Sequence, residues 1–262
     1  MKRFEKEYRI TADNMDMDYH VTPNALLIYL QDTIATFLAS RHLAAFDVID
    51  DDLLWVITDF KVDVDPVRPL WPSAVKVQLW TSELTSIKAY FDFRMMDEDG
   101  RDFCHGSSCW AIIDSLTRKP CIRTEEYLCS RLEVDPEFTL GNHGKIVFPT
   151  SGDTEASYDY KTMMPDVDFN GHVSNRQYTL AAMACEDLEF ERTHTPVSIR
   201  VKYSRETMLG DTIHCRMALS EVDPAEHVYF LTNDAGAETC RILVRWAPQP
   251  LEPLAVRANF RK

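Results

Sequence analysis

The sequence contains few basic residues relative to acidic ones. It has 28 Lys and Arg against 42 Asp and Glu, which gives a formal net charge of −14 and a pI near 5.0. A protein that binds nucleic acid needs a basic face to displace counterions, and a negative surface is repelled by an anionic membrane. The charge balance therefore excludes nucleic acid and membrane surfaces as expected partners.

Long apolar runs are also missing. No stretch approaches the roughly 20 apolar residues of a membrane span, and the opening residues turn acidic before a signal peptide could form. The cysteines number seven, an odd count, and lack the spacing of a zinc site. We therefore expect a soluble cytoplasmic chain with reduced thiols and without a metal or another cofactor.

Glycine is scarce, with 8 residues among 262, whereas hydrophobic residues make up 45% of the chain. This composition is typical of a folded protein and not of a disordered or fibrous one. No G-x-S-x-G motif occurs, which excludes the nucleophile elbow of the serine hydrolases. The length fits one large domain or two domains of about 100–150 residues each.

The chain contains a repeat at about half its length. Residues 16–21 (DMDYHV) match residues 168–173 (DFNGHV) as D-x-[D/N]-x-H-V, at an offset of 152. Further along, at an offset of 136, three residues of the first copy have identical counterparts: Gly100, Cys104 and Trp110 match Gly236, Cys240 and Trp246. An ordered series of matches predicts two copies of one structural unit.

The sequence of each copy predicts an opening strand, a long helix and about four antiparallel strands. Apolar residues at three- and four-residue spacing predict helices over 23–40, with Thr22 as the N-cap, and over 175–191, with Ser174 or Asn175 as the N-cap. The second helix includes Tyr178, Met183 and Leu188 in its apolar stripe. Alternating runs predict strands over 53–64, 75–84, 87–96, 104–114, 197–203, 212–221, 227–232 and 239–246.

These elements predict an α+β fold, because each long helix must bury its apolar stripe against a sheet. The segment 132–157 is rich in turn-forming dipeptides, which predict an irregular linker. We therefore expect an N-terminal domain over 1–131, a linker over 132–157 and a C-terminal domain over 158–262.

Polar residues alternate just before the second predicted helix. Asp168, Asn170 and His172 supply a carboxylate, an amide and an imidazole, and the helix start adds free N–H groups. These groups could polarise a carbonyl and activate water. The same pattern also fits an ordinary capping turn. A metal site at Asp16, Asp18 and His20 or their counterparts is disfavoured, because no second ligand cluster follows.

The second copy resembles the acyl-acyl carrier protein (acyl-ACP) thioesterases, a plant-type family that also occurs in bacteria. Residues 168–178 (DFNGHVSNRQY) match the family pattern D-x-N-x-H-V-N-N-x-x-Y except at Ser174, and residues 202–207 (KYSRET) resemble its E-Y-R-R-E-C segment. The resemblance implies a tandem double hotdog, in which each long helix packs on an antiparallel sheet. It also implies hydrolysis of fatty acyl-ACP to free fatty acid and holo-ACP.

The resemblance implies a catalytic network of four polar residues: Asp168, Asn170, His172 and Glu206. Thr207 stands where many members carry Cys, so the reaction would proceed without a cysteine nucleophile. In the first copy, Asp18 replaces the amide, and Val67 or a neighbour within 66–69 replaces the glutamate. These departures predict a decayed N-terminal site that holds the acyl chain.

Acyl carrier protein, carrying its fatty-acyl phosphopantetheine thioester, is the partner that the resemblance implies. Because the carrier is acidic, docking requires a local basic patch, which we expect near Arg200 and Lys202 in the less acidic C-terminal half. Edge strands also favour a homodimer. Two alternative functions remain open, namely a hotdog hydratase or dehydratase acting on acyl thioesters, and a non-catalytic acyl-thioester-binding protein.

Overall fold

The computed structural model describes residues 3–121, 124–168 and 171–250. The N-terminal copy contributes five strands: β1 (Phe4–Arg9), β2 (Leu53–Val64), β3 (Ala74–Leu84), β4 (Ala89–Met96) and β5 (Asp102–Asp114). The C-terminal copy contributes five more: β6 (Ala156–Lys161), β7 (His194–Tyr203), β8 (Thr212–Leu219), β9 (Glu226–Thr232) and β10 (Glu238–Pro248). The strands predicted from the alternating patterns are confirmed, with small shifts at their ends.

The ten strands form one antiparallel sheet in the order β1-β3-β4-β5-β2-β7-β10-β9-β8-β6. The two copies join where β2 pairs with β7, from Asp59 opposite Lys202 to Asp63 opposite Ser198. Arg200 therefore lies on a central strand, and its guanidinium donates to Asp63 at 2.7 Å. This engagement argues against Arg200 as half of the predicted docking patch.

The long helix of the N-terminal copy is confirmed as α1 (Pro23–Ala39). The Thr22 hydroxyl accepts a hydrogen bond from the Ala25 N–H at 3.1 Å, as expected of an N-cap. One face of α1 is buried against the sheet, including Leu26, Tyr29, Leu30, Thr33 and Phe37. Two short helices follow, α2 (Ala45–Val48) and α3 (Thr124–Leu128). No helix in the described ranges is long and apolar enough to cross a bilayer.

The single long helix predicted over 175–191 is wrong. The C-terminal copy instead has α4 (Asn175–Met183) and a separate α5 (Leu188–Thr193). The Asp187 carboxylate accepts from the Phe190 N–H at 2.8 Å and so caps the start of α5. Leu188, which was expected in the buried stripe, is 78% exposed. The first helix thus ends at Met183, and the acidic residue Asp187, which is not part of the apolar pattern, caps the start of a second helix.

The segment between the copies follows the N-terminal sheet. Residues 132–155 form neither helix nor strand, yet side chains of the sheet hold them in place. The buried Asp92 carboxylate accepts from the Thr139 N–H at 2.7 Å, and the Trp80 indole donates to the Glu137 carbonyl at 2.8 Å. The boundaries 1–131, 132–157 and 158–262 remain predictions, and residues 251–262 lie outside the described part of the chain.

Candidate active site

Backbone hydrogen bonds close the turn that precedes α4. The Asp168 N–H donates to the His172 carbonyl at 2.8 Å, and the Gly171 N–H donates to the Asp168 carbonyl at 3.0 Å. Gly171 has φ of +78°, a left-handed conformation that glycine adopts without strain. The Asp168 carboxylate also accepts from the His172 N–H at 3.3 Å. These bonds fix the backbone from which the His172 imidazole projects.

Three of the four predicted site residues lie together at this turn. His172 Nε2 is 3.4 Å from Glu206 Oε2, and Asp168 holds the backbone of the same histidine. The segment that carries Glu206 is joined to the turn, because the Val173 N–H donates to the Thr207 carbonyl at 2.9 Å. Asn170, the fourth predicted residue, lies outside the described residues.

Arg118 contacts this site and was not found by sequence reasoning. It lies in the turn after β5, in the N-terminal copy, and its guanidinium donates to Glu206 Oε1. The two oxygens of one carboxylate therefore face an imidazole and a guanidinium. No motif surrounds Arg118 in the sequence, and only the pairing of the two half-sheets brings it to Glu206.

Thr207, the residue after Glu206, connects the site to α4. Its side chain is fully buried, and its hydroxyl accepts a hydrogen bond from the Tyr178 hydroxyl at 2.9 Å. Burial raises the pKa of Tyr178 to about 12, so the phenol remains a donor at neutral pH. The bond joins α4 to the segment that carries Glu206.

The first copy of the turn repeats the same backbone bonds. The Asp16 N–H donates to the His20 carbonyl at 2.8 Å, and the Tyr19 N–H donates to the Asp16 carbonyl at 3.1 Å. Tyr19 has φ of +66°, at the position that glycine occupies in the second copy. The Val21 N–H donates to the Pro69 carbonyl at 2.9 Å, as Val173 does to Thr207.

This register identifies Arg68 as the counterpart of Glu206, within the predicted stretch 66–69. Arg68 is only 4% exposed and donates to Asp16 at 3.0 Å, to the Val21 carbonyl at 2.8 Å and to the Thr195 hydroxyl. Burial lowers the pKa of Arg68, an effect that Asp16 opposes. A cation thus occupies the position of the glutamate, and it engages one of the carboxylates considered for a metal site.

A Ser-His-Asp cluster between the N-terminal sheet and the segment that joins the copies is unsuited to catalysis. Ser82 Oγ lies 2.6 Å from Asp92 and 2.9 Å from His143 Nε2, but all three side chains are buried. The serine hydroxyl donates directly to the aspartate, whereas a nucleophilic serine donates to the histidine. The His143 ring also stacks on Tyr90 at 4.3 Å. We interpret the cluster as an anchor for the segment between the copies.

Solved structures share this fold. An acyl-ACP thioesterase from Bacteroides thetaiotaomicron VPI-5482 is 20% identical, with a TM-score of 0.80 over 93% of this chain and 97% of that one. The 12:0-ACP thioesterase from Umbellularia californica is 17% identical, with a TM-score of 0.81 over 94% and 97% of the two chains. The expected α+β tandem double hotdog fold is therefore confirmed.

Family models match both halves of the sequence. The acyl-ACP thioesterase N-terminal domain matches residues 1–130, and the acyl-ACP thioesterase C-terminal domain matches residues 150–248. A search of the curated proteins found no match. The two matches favour the thioesterase prediction over the hydratase and the non-catalytic binding protein. The chain belongs to the acyl-ACP thioesterase family.

Proposed function

We propose that this thioesterase hydrolyses fatty acyl-ACP at the C-terminal copy of the turn. The observation that carries the proposal is the distance of 3.4 Å between His172 Nε2 and Glu206 Oε2, at the start of α4. The reaction adds water to the thioester carbonyl and breaks the C–S bond. Its products are a free fatty acid and the thiol of holo-ACP.

In this proposal His172 moves the proton. Glu206 orients the imidazole, which accepts a proton from water as the oxygen attacks the thioester carbonyl. The imidazolium then returns the proton to the sulfur as the C–S bond of the tetrahedral intermediate breaks. Arg118 holds the second oxygen of the Glu206 carboxylate, and Asp168 holds the backbone of His172. Asp168 thereby acts as a positioning residue.

The tetrahedral intermediate carries an oxyanion that requires hydrogen-bond donors. At the start of α1 the Thr22 side chain already accepts from the helix backbone, whereas the Ser174 side chain makes no such bond to the described residues of α4. The first N–H groups of α4 are therefore suited to the oxyanion. The resemblance assigns the Asn170 amide as a further donor. Loss of one such donor typically lowers kcat by about 10²–10³.

The test is release of free thiol from acyl-ACP substrates of several chain lengths. His172→Gln should lower kcat/KM by about 10²–10⁴, the usual contribution of a general base. His20→Gln makes the same change in the first copy of the turn and should leave kcat/KM within twofold of wild type. Absence of thiol release at every chain length, or an equal loss in both variants, would contradict the proposal.

We also propose a cellular location and an oligomeric state for the protein. We infer a cytoplasmic location, where acyl-ACP would be the substrate, and a homodimer formed through an edge of the sheet. The sheet ends at β1 and β6, and unpaired strand edges favour association. Light scattering after size-exclusion chromatography tests the dimer, which should have twice the chain mass of 30.2 kDa. A mass of one chain would exclude it.

A further inference from the structure

Two loops of the C-terminal copy form one surface beside the proposed catalytic site. One follows β6, and the other follows β7 and carries Glu206. The Thr162 N–H donates to the Asp211 carbonyl at 3.1 Å, and the Gly210 N–H donates to the Thr162 hydroxyl at 2.8 Å. These bonds hold the two loops together, so their exposed side chains belong to one surface.

This surface is largely apolar. Four large hydrophobic side chains of the two loops are between 44% and 72% exposed, and we call them the Met patch: Met163, Met164, Met208 and Leu209. Grouped apolar side chains that are exposed mark interaction surfaces, and methionine adapts its shape to a partner. The Met patch therefore indicates a docking surface.

The first copy lacks two of these side chains. At the offset of 152 that relates the two turns, Thr11 and Ala12 stand in place of Met163 and Met164. The pair of methionines thus occurs only in the copy that has Glu206 beside its histidine.

Met208 connects the patch to the site. It forms an isolated antiparallel bridge with His172. Directly opposed residues of an antiparallel pair have their side chains on the same face, with Cβ atoms about 4.5–5.5 Å apart. The Met208 side chain therefore neighbours that of His172, and a partner that covers the patch brings an attached group to the site.

Two cations beside the patch are not neutralised by carboxylates. The Lys161 ammonium, at the end of β6, donates to the Gly210 carbonyl, which is uncharged. Arg205 precedes Glu206 in the sequence, is exposed, and forms no ion pair with a described residue. Both cations can therefore attract an acidic partner.

The carboxylates around the patch are already engaged. Glu206 faces a guanidinium and an imidazole, and Asp211 accepts from the Met208 N–H at 2.9 Å. Asp166 is buried and accepts from three donors, and Asp168 accepts from the backbone of the turn before α4. The uncompensated charge at the patch is therefore positive, although the whole chain carries −14.

We propose that the Met patch, with Lys161 and Arg205 at its edge, is the surface on which an acidic acyl carrier protein docks, which rests on the proposed function. The carrier presents its thioester on a flexible arm, which reaches His172 along Met208. Apolar contacts supply the affinity, and the two cations direct an acidic partner to this surface. A two-fold contact between two copies through the patch would instead bring like charges together.

The experiment measures binding by the fluorescence anisotropy of labelled holo-acyl carrier protein, titrated with the full chain at low ionic strength. Wild type should show saturable binding that weakens as NaCl is added. Met164→Glu places a charge in the patch and Lys161→Glu reverses a cation, and each should raise Kd at least tenfold. Lys161→Glu should also reduce the dependence of Kd on salt.

Matched controls carry the same changes outside the patch. Leu188→Glu adds a carboxylate at an exposed leucine of α5, and Lys76→Glu reverses an exposed cation on β3. Both should bind the carrier within threefold of wild type. Circular dichroism should show that all four variants are folded.

Kinetics separate docking from hydrolysis. Acyl-pantetheine with the same acyl chain lacks the carrier, so Met164→Glu should lower the ratio of kcat/KM for acyl-ACP to kcat/KM for acyl-pantetheine at least fivefold. Absence of thiol release from both substrates in wild type would contradict the proposed function, whereas the anisotropy titration decides the docking surface.

Three results would overturn the docking surface. They are no saturable binding of the carrier to wild type, an equal loss in the patch and control variants, and wild-type affinity in folded Met164→Glu and Lys161→Glu. A patch variant that becomes monomeric in light scattering while its Kd for the carrier is unchanged would identify the patch as a contact between copies instead.

Discussion

The two copies of the D-x-[D/N]-x-H turn have the same backbone and opposite charges beside it. In both, the aspartate N–H donates to the histidine carbonyl at 2.8 Å, and the valine after the histidine donates to the neighbouring segment at 2.9 Å. That segment places Glu206 beside the second histidine and Arg68 beside the first turn. The two turns therefore share one backbone framework, and one charged position decides whether a carboxylate or a guanidinium lies beside it.

Arg68 and Glu206 also differ in how deeply they are buried. Arg68 is 4% exposed, and one of its three acceptors, Thr195, belongs to the other copy. The Glu206 side chain is 38% exposed and faces His172 and Arg118. A buried ion that loses its partners is strongly destabilising, whereas an exposed ion pair contributes little to stability. Arg68 thus supports the interface between the copies, whereas Glu206, at the equivalent position of the second copy, serves the proposed chemistry.

Arg68→Met should produce the largest change in stability. The variant leaves Asp16 without its cation in a mostly buried position and removes the bonds to Val21 and Thr195. We expect the free energy of unfolding in urea to fall by about 3–5 kcal/mol.

The matched variant is Glu206→Gln, which should change the free energy of unfolding by less than ~1 kcal/mol while lowering kcat/KM by about 10²–10⁴. If both variants lost stability equally, the distinction between a structural and a functional copy would not hold.

Arg118→Met should produce the next largest effect, which is on kcat and not on the free energy of unfolding. Without the guanidinium, one oxygen of Glu206 loses its partner, and the carboxylate orients His172 less well. We expect kcat to fall about tenfold, the rate equivalent of ~1.4 kcal/mol, with KM within twofold of wild type. Arg118→Lys keeps the charge and should recover part of kcat. A change confined to KM would instead indicate that Arg118 contacts the substrate.

The sequence predicted those elements whose signal is local. Alternation of apolar residues predicted the strands, and helical spacing with an N-cap at Thr22 predicted α1. The repeat and the family resemblance predicted that Asp168, His172 and Glu206 share a site, which the backbone bonds of the turn explain. The catalytic roles of these three residues, and that of Asn170, remain predictions.

The remaining features depend on contacts between distant segments. The contact of Arg118 with Glu206 results from the β2–β7 pairing, which no local pattern encodes. The identity of Arg68 as the counterpart of Glu206 required the register set by one backbone bond between Val21 and Pro69. The break between α4 and α5 depends on the capping preference of Asp187, which competes with an apolar pattern that continues past it.

Gly171→Ala tests the difference in residue type at the left-handed position of the two turns. Gly171 and Tyr19 both have positive φ. A Cβ at Gly171 would lie within 4 Å of none of the described residues other than its chain neighbours, so the penalty is that of the backbone alone. We expect a loss of about 1 kcal/mol in the free energy of unfolding. Gly152→Ala is the control, since Gly152 also has open space around it and no left-handed φ. Equal effects of the two substitutions would show that the turn does not need glycine.

The smallest effect concerns the histidine of the first copy. Burial lowers the pKa of His20 from its usual value of 6.5, and the nearby Arg68 adds to this effect although Asp16 opposes it. The unfolded chain therefore binds a proton at this residue more readily than the folded chain does. The associated stability is fully present above pH 6.5 and is lost as the pH falls through the interval below it.

His20→Gln should remove that part of the pH dependence. Urea unfolding at several pH values between about 7.5 and 5 should show a shallower decline in the variant than in wild type, because glutamine does not titrate. An NMR titration, with the His20 signal assigned by its absence from the variant, should give a midpoint below 6.5. A midpoint at or above 6.5 would mean that Asp16 outweighs burial. The first turn would then hold a histidine whose charged form is favoured despite the nearby Arg68.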